Sequence, residues 1–191
     1  VLHYVTNLKL MKNGDLLLSD CEAEYHGYTA DVTRTVPVNG KFSPEQKIIY
    51  ELVLAAQDSA IAVCKPGMPY SGSDATARRV INRGLIALGI AANDLEARRY
   101  FPHGTSHHLG LDVHDLGIRG NMPFEPGMYL TVEPGIYIPP GSKCDPKWWS
   151  IGVRIEDDIL ITKEGNRNLS AGAPRTVAEI EKLAKAKTIF N

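Results

Sequence analysis

Four carboxylates and one histidine stand in stretches of this chain where apolar residues would be expected. Asp20 closes the run Leu16-Leu17-Leu18-Ser19, and Glu133 interrupts Met128-Tyr129-Leu130-Thr131-Val132. Glu156 lies inside Val153-Arg154-Ile155-Glu156-Asp157-Asp158-Ile159-Leu160-Ile161, while Asp31 and His107 occupy comparable segments. An isolated buried charge costs several kcal/mol unless it is paired or bound to metal. A divalent cation answers that cost for all five at once, so they are candidate metal ligands.

The histidines are clustered. Four of the six, His103, His107, His108 and His114, fall between residues 103 and 114, where even scatter would place fewer than one. His103 and His107 form an HxxxH spacing, but no glutamate follows His103 and glycines flank the stretch, so a helical zinc pair is a poor reading. Singly, each candidate has a plain structural explanation. Any one histidine could be a hydrogen-bonded structural residue, Asp31 could pair with Arg34, Glu156 with Arg154, and Glu133 could be a strand-end acid before Pro134. The conjunction of four acids from strands with a histidine run is what argues for a metal.

The elements that must position these residues can be read from turn and cap signals. Residues 15–20 and 28–37 form strands around the turn-rich Tyr25-His26-Gly27. A turn centred between residues 25 and 26 sets Asp20 opposite Asp31, with β-carbons about 5 Å apart. Strands near 127–138 and 151–162 flank the loop from Pro139 to Ser150, and a loop centred near its middle sets Glu133 opposite Glu156. Each hairpin then contributes one carboxylate per strand, weak evidence of an internal duplication.

Three helices are expected. The first begins at the capping box Ser43-Pro44-Glu45-Gln46, buries Ile48, Leu52 and Ala55, and ends by Pro66-Gly67. The second runs from Asp74 to Leu88, with Val80, Leu85 and Leu88 buried and Gly89 as a left-handed cap. The third starts at Thr176-Val177-Ala178-Glu179 and turns Ile180 and Leu183 inward.

A chain of 191 residues buries roughly 70 % of its unfolded surface as one domain. No apolar run reaches the roughly 18 residues of a membrane span. Lys+Arg of 21 against Asp+Glu of 22, a net charge of -1, comes with no basic block suited to phosphates, which argues against a nucleic-acid partner. Cys21, Cys64 and Cys144 form no CxxC pair and read as buried thiols, favouring a reducing, cytoplasmic compartment. On a strand, Cys21 points away from Asp20 and its metal.

Several motifs in order carry a resemblance along nearly the whole chain. They are Leu2-His3-Tyr4, the segment from Gly14 to Ser43 with Asp31-Val32-Thr33-Arg34-Thr35, the run His103 to Asp115, Glu125-Pro126-Gly127-Met128, Thr131-Val132-Glu133-Pro134-Gly135-Ile136-Tyr137 and Gly152-Val153-Arg154-Ile155-Glu156-Asp157-Asp158. In these the chain resembles the pita-bread metallopeptidases, specifically the Xaa-Pro aminopeptidases and the related prolidases. The resemblance implies an α+β fold with a curved antiparallel sheet and helices on its outer face. It implies a two-metal centre in which Asp31 and Glu156 bridge, His107 and Glu133 complete one shell and Asp20 chelates the other ion. Oxygen ligands with a single imidazole suit Mn²⁺, with Co²⁺, Zn²⁺ or Fe²⁺ as alternatives. Glu133 would handle a proton, His103 and His114 would steady substrate and intermediate, and His3 and Arg154 match further active-site positions.

The implied substrate is a peptide with proline in second position. A prolidase confined to dipeptides, or a scaffold that binds peptide without catalysis, are the alternatives. Cys21-Glu22 depart from the small residue and glycine that usually follow the first metal aspartate. The resemblance also implies further domain structure ahead of His3, so residues 1–191 read as the C-terminal portion of a catalytic domain. That portion is expected to pair with the preceding segment of the same protein or to form a homo-oligomer.

Overall fold

In the computed structural model the structure describes residues 6–117 and 120–186. Strands β1 (Leu16–Cys21) and β4 (Val32–Pro37) pair antiparallel, and β2 (Glu24–Tyr25) with β3 (Tyr28–Thr29) forms the tip of the same hairpin. The tip is a two-residue turn at His26 (φ 53°) and Gly27 (φ 85°), the doubly left-handed geometry whose twist matches a hairpin. Because the turn centres between residues 26 and 27, one residue later than expected, Asp20 faces Thr33 and not Asp31.

The second hairpin keeps the expected register. Strand β5 (Tyr129–Val132) pairs with β8 (Asp157–Ile161), and β6 (Gly135–Ile138) with β7 (Ile151–Arg154). Val132 opposes Asp157 and Gly135 opposes Arg154, so Glu133 and Glu156 fall in step at the break between the two ladders. Strand β9 (Asn166–Asn168) extends β8. Along the free edge of β5, Glu133, Thr131 and Leu109 use their N–H groups to reach Thr105 O, His107 O and Tyr129 O, so residues 105–109 run as a further antiparallel neighbour. Glu156 N donates to Thr33 O at 3.1 Å, which stitches the first hairpin to the second.

Helix α1 (Pro44–Val63) starts from the reciprocal Ser43–Gln46 capping box with proline in its first turn. Its buried face is Ile49, Val53, Ala56 and Ala60, whereas Ile48 is 40 % exposed and Ala55 is exposed. The sequence offers apolar neighbours in pairs, 48–49, 52–53 and 55–56, and 3.6-residue periodicity alone cannot say which of each pair meets the core. The sheet takes the second. Leu52, half-buried, meets helix α2 at Gly84, where an added Cβ would lie 2.4 Å from its Cδ1.

Helix α2 (Ser71–Ala87) begins three residues before the expected start. Its entry is held by backbone: Tyr70 N reaches Met122 O and Ser71 N reaches Gly120 O, at 2.8 Å each. Leu85 is fully buried, with Val80 and Leu88 half-buried. Gly89 (φ 68°) closes the helix, and Ile90 N returns to Leu85 O, a Schellman closure. Helix α3 (Asp94–Ala97) is a single turn. Helix α4 (Val177–Leu183) has the expected Thr176–Glu179 capping box and buries Ile180, but Leu183 is 60 % exposed because the helix ends there.

The core lies between α1 and α2 on one side and Leu130, Val132, Ile136, Val153, Ile155 and Ile159 of the sheet on the other. This is the α+β arrangement expected. All three cysteines are free. Cys64 is buried, but Cys21 is exposed on the outer edge of β1 and Cys144 is half-buried, so only one matches the buried reading. Among the described residues no helix is long and apolar enough to cross a membrane.

Candidate metal centre

The candidate ligands sit where the β ladders are interrupted. Asp31 lies between β3 and β4, Glu133 between β5 and β6, and Glu156 between β7 and β8, while His107 comes from the segment along β5. At such breaks the backbone bonds elsewhere and side chains from adjacent strands turn to one side together. His107 Nε2 lies 3.5 Å from Asp31 Oδ2, 3.5 Å from Glu133 Oε1 and 3.9 Å from Glu156 Oε1. Donor atoms of Asp31, His107 and Glu156 all fall within 4.8 Å of one another. Two ligand atoms each about 2.1 Å from one ion at right angles are about 3 Å apart, so a modest contraction closes this set on a cation.

Asp20 stands at the rim. Its side chain is 36 % exposed, against 12 % for Asp31, 16 % for Glu133, 9 % for His107 and 2 % for Glu156. It is therefore not one of the buried acids, as its place in the strand implied. Its Oδ1 accepts from the Thr33 hydroxyl at 2.8 Å and its Oδ2 from Arg154 Nη2 at 2.6 Å. Thr33 also lies 2.7 Å from Glu156 Oε2 and receives Arg154 Nε at 3.1 Å. A hydroxyl has one hydrogen, so Thr33 serves one of the two carboxylates at a time.

The electrostatics are those of crowded acids that Arg154 and His107 only partly offset. Burial, then the neighbouring carboxylates, pushes Glu156 well above the ordinary glutamate range, and burial raises Glu133 to about 7 despite His107 and Arg154. Burial by itself would lower His107, but hydrogen bonding to Asp31 and the charges of Glu133 and Asp31 raise it. Asp20 goes the other way: burial would raise it, but the Thr33 hydroxyl, Arg154 and hydrogen bonding with Asp31 hold it below the usual aspartate value. Glu156 Oε1 is buried without a hydrogen-bond partner. An orphaned carboxylate oxygen aimed at an imidazole and two further acids fits a hard or borderline divalent cation.

Around this set the other candidates take distinct places. Arg154, 2 % exposed, spans Asp20, Thr33 and the Tyr137 hydroxyl (3.1 Å). With Arg154 donating to Tyr137, the Tyr137 hydrogen goes to His103 Nε2 at 2.9 Å, and His103 Nδ1 donates to Gly104 O at 2.8 Å. Burial lowers His103 to about 4, so the ring is neutral with its Nε2 lone pair in use. The His114 ring lies edge-on to His107 with centroids 4.3 Å apart. His3 lies outside the described residues. Arg34 does not pair with Asp31; it binds Asp157 at 2.7 Å. Sequence reading passed over Thr33 and Tyr137, although Thr33 sits two residues from Asp31, on the same strand face.

Residues 1–163 match the metallopeptidase family M24. The chain is 44% identical over 196 residues to an Xaa-Pro aminopeptidase of Escherichia coli, covering 97% of this chain and 44% of that protein. Among solved structures, proline aminopeptidase P II from Yersinia pestis superposes with a TM-score of 0.92 at 44% identity, over 96% of this chain and 45% of that one. A zinc-substituted E. coli aminopeptidase P in complex with product gives 0.93 at 43% identity, over 98% and 46%. The chain thus spans less than half the length of these relatives. Its curved sheet and outer helices are those of the pita-bread fold, and with most of its residues inside the matched region, this chain belongs to metallopeptidase family M24.

Proposed function

We propose that this chain carries the metal centre of an Xaa-Pro aminopeptidase, which releases an N-terminal residue that precedes proline. The observation behind the reading is the convergence of Asp31, Glu133 and Glu156 on His107 Nε2, with Glu156 Oε1 left without a hydrogen bond. Asp31 and Glu156 would be shared between two divalent ions, His107 and Glu133 would complete one shell, and Asp20 would hold the other. Mostly oxygen donors with one imidazole favour Mn²⁺ over Co²⁺, Zn²⁺ or Fe²⁺. When bound, such a pair supplies a water acidic enough to act as a nucleophile near neutral pH.

The chain's own residues do the remainder. Glu133, with its affinity for protons raised to about 7, is matched to taking a proton near neutrality. His114 is the donor for charge developing on the attacked carbonyl oxygen. His103, held between Phe101 and Tyr137, presents a neutral ring face to substrate. Arg154 fixes Asp20 at the more open end, where a free amino terminus would enter. Three free thiols support a reducing, cytoplasmic setting. Leu10, Met11 and Leu17 are 82 %, 58 % and 41 % exposed, apolar surface that a second copy, or another segment of the same protein, would cover.

The test is hydrolysis of an Xaa-Pro dipeptide and an Xaa-Pro-Xaa tripeptide by the intact protein, before and after chelation. Release of the first residue from the tripeptide, abolished by chelation and restored by Mn²⁺, is expected. Cleavage of the dipeptide alone would indicate a prolidase, and metal binding without hydrolysis a peptide-binding scaffold.

A further inference from the structure

Asp158 is buried, 2 % exposed, and lies two residues beyond Glu156 without joining the ligand cluster. Its hydrogen-bond partners are all donors, although the charges of Asp31 and Asp157 stand near enough to repel its own. The backbone N–H of Asp31 points at both of its oxygens, 3.3 Å from each, and the Tyr129 hydroxyl donates to Oδ2 at 2.9 Å. Its own N–H is fixed by the Ser170 hydroxyl at 3.0 Å. A carboxylate accepts only, so these donors hold the side chain in one orientation.

The arrangement matters because of where Asp31 sits. The hairpin ladder is intact from Leu16 to Cys21 against β4, and again at Glu24 and Tyr25 against β3. Between these ladders Ala30 N still reaches Ala23 O across the hairpin, at 2.9 Å. The next residue, Asp31, turns its N–H out of the hairpin and into the neighbouring β8. Asp158 thus replaces a cross-strand carbonyl, and Tyr129, from β5 on the far side of β8, anchors the acceptor. The contact therefore joins two strands, β8 and β5, to the residue that opens towards His107.

We propose that Asp158, oriented by Tyr129, is a positioning residue that sets the backbone of Asp31 and so the affinity of the centre for metal; this rests on the reading of Asp31 as a ligand. Outer partners of metal ligands generally contribute 10–100-fold in metal affinity. The test is titration of the metal-free intact protein with Mn²⁺, comparing wild type with Asp158→Ala, Asp158→Asn and Tyr129→Phe, alongside thermal unfolding of each apoprotein.

Asp158→Ala should bind Mn²⁺ at least tenfold more weakly. Asp158→Asn keeps a carbonyl acceptor for Asp31 N, and its amide can donate to Tyr129, so it should stay within about threefold of wild type. Tyr129→Phe, which changes least and should leave apoprotein unfolding close to wild type, should fall between the two and serves as the readout if the alanine variant does not fold. Wild-type affinity in both Asp158→Ala and Tyr129→Phe, or equal losses in Asp158→Asn and Asp158→Ala, would overturn the proposal. A wild-type protein that binds no Mn²⁺ would instead overturn the metal centre itself.

Discussion

At the scale of single residues, the centre is a set of buried carboxylates whose charge Arg154 and His107 only partly offset. Glu156 is held 2 % exposed with one oxygen lacking a hydrogen bond, and Thr33 has only one hydrogen to divide between it and Asp20. Protonation relieves part of that cost, which is what the raised proton affinities of Glu133 and Glu156 express; a cation relieves all of it. His114 stands edge-on against the His107 ring, and its proposed role is to act on substrate and not to hold metal. His114→Ala should lower turnover of an Xaa-Pro-peptide about a hundredfold, since a donor to a developing oxyanion contributes roughly 3–4 kcal/mol, while metal content stays unchanged. Wild-type turnover in this variant would make His114 structural. The ligand candidates were legible because a lone acid in an apolar run is anomalous. Thr33, Tyr137 and Asp158 were not, because a hydroxyl, or one acid among three in Glu156-Asp157-Asp158, looks ordinary in a strand until its partners are known.

At the scale of elements, the ligands owe their convergence to how the strands are held where the ladders break. Arg34 holds one such break. All of its guanidinium nitrogens are engaged: Nε with Pro174 O, Nη1 with Thr33 O and Glu156 O, and Nη2 with Asp157 Oδ1 and Ala173 O, at 2.6–3.0 Å. One side chain thus ties β4, the backbone of Glu156, β8 and the chain before α4. Lysine carries a point charge and cannot reproduce that planar fork. Arg34→Lys should cost on the order of 2–3 kcal/mol, read as a lowered urea midpoint; an unchanged midpoint would show the fork to be dispensable. Caps and breakers announced the helices well, since Ser43, Gly89 and Thr176 act locally. The hairpin register was harder. Moving the turn by one residue, from 25–26 to 26–27, exchanges Asp31 for Thr33 opposite Asp20, and only the left-handed backbone at His26 and Gly27 decides it. The core face of α1 was ambiguous for a similar reason, since adjacent apolar residues carry no sign of which one the sheet will meet.

At the scale of the whole molecule, the helices pack one face of the sheet while the breaks in its ladders open together on a single centre, so fold and site are one construction. The two hairpins each supply carboxylates, but they do so differently: the second places Glu133 and Glu156 in step at one break, and the first separates Asp20 from Asp31 by a turn of register. Asp31 and Glu156, whose donor atoms lie within 4.8 Å of each other and of His107, are the proposed pair on which both ions depend. Metal analysis of the intact protein after saturation with Mn²⁺ and removal of the excess tests this most directly, comparing wild type with Asp31→Ala and Glu156→Ala. Two ions per chain in the wild type and none in either variant is the predicted result; full occupancy retained by either variant would contradict it.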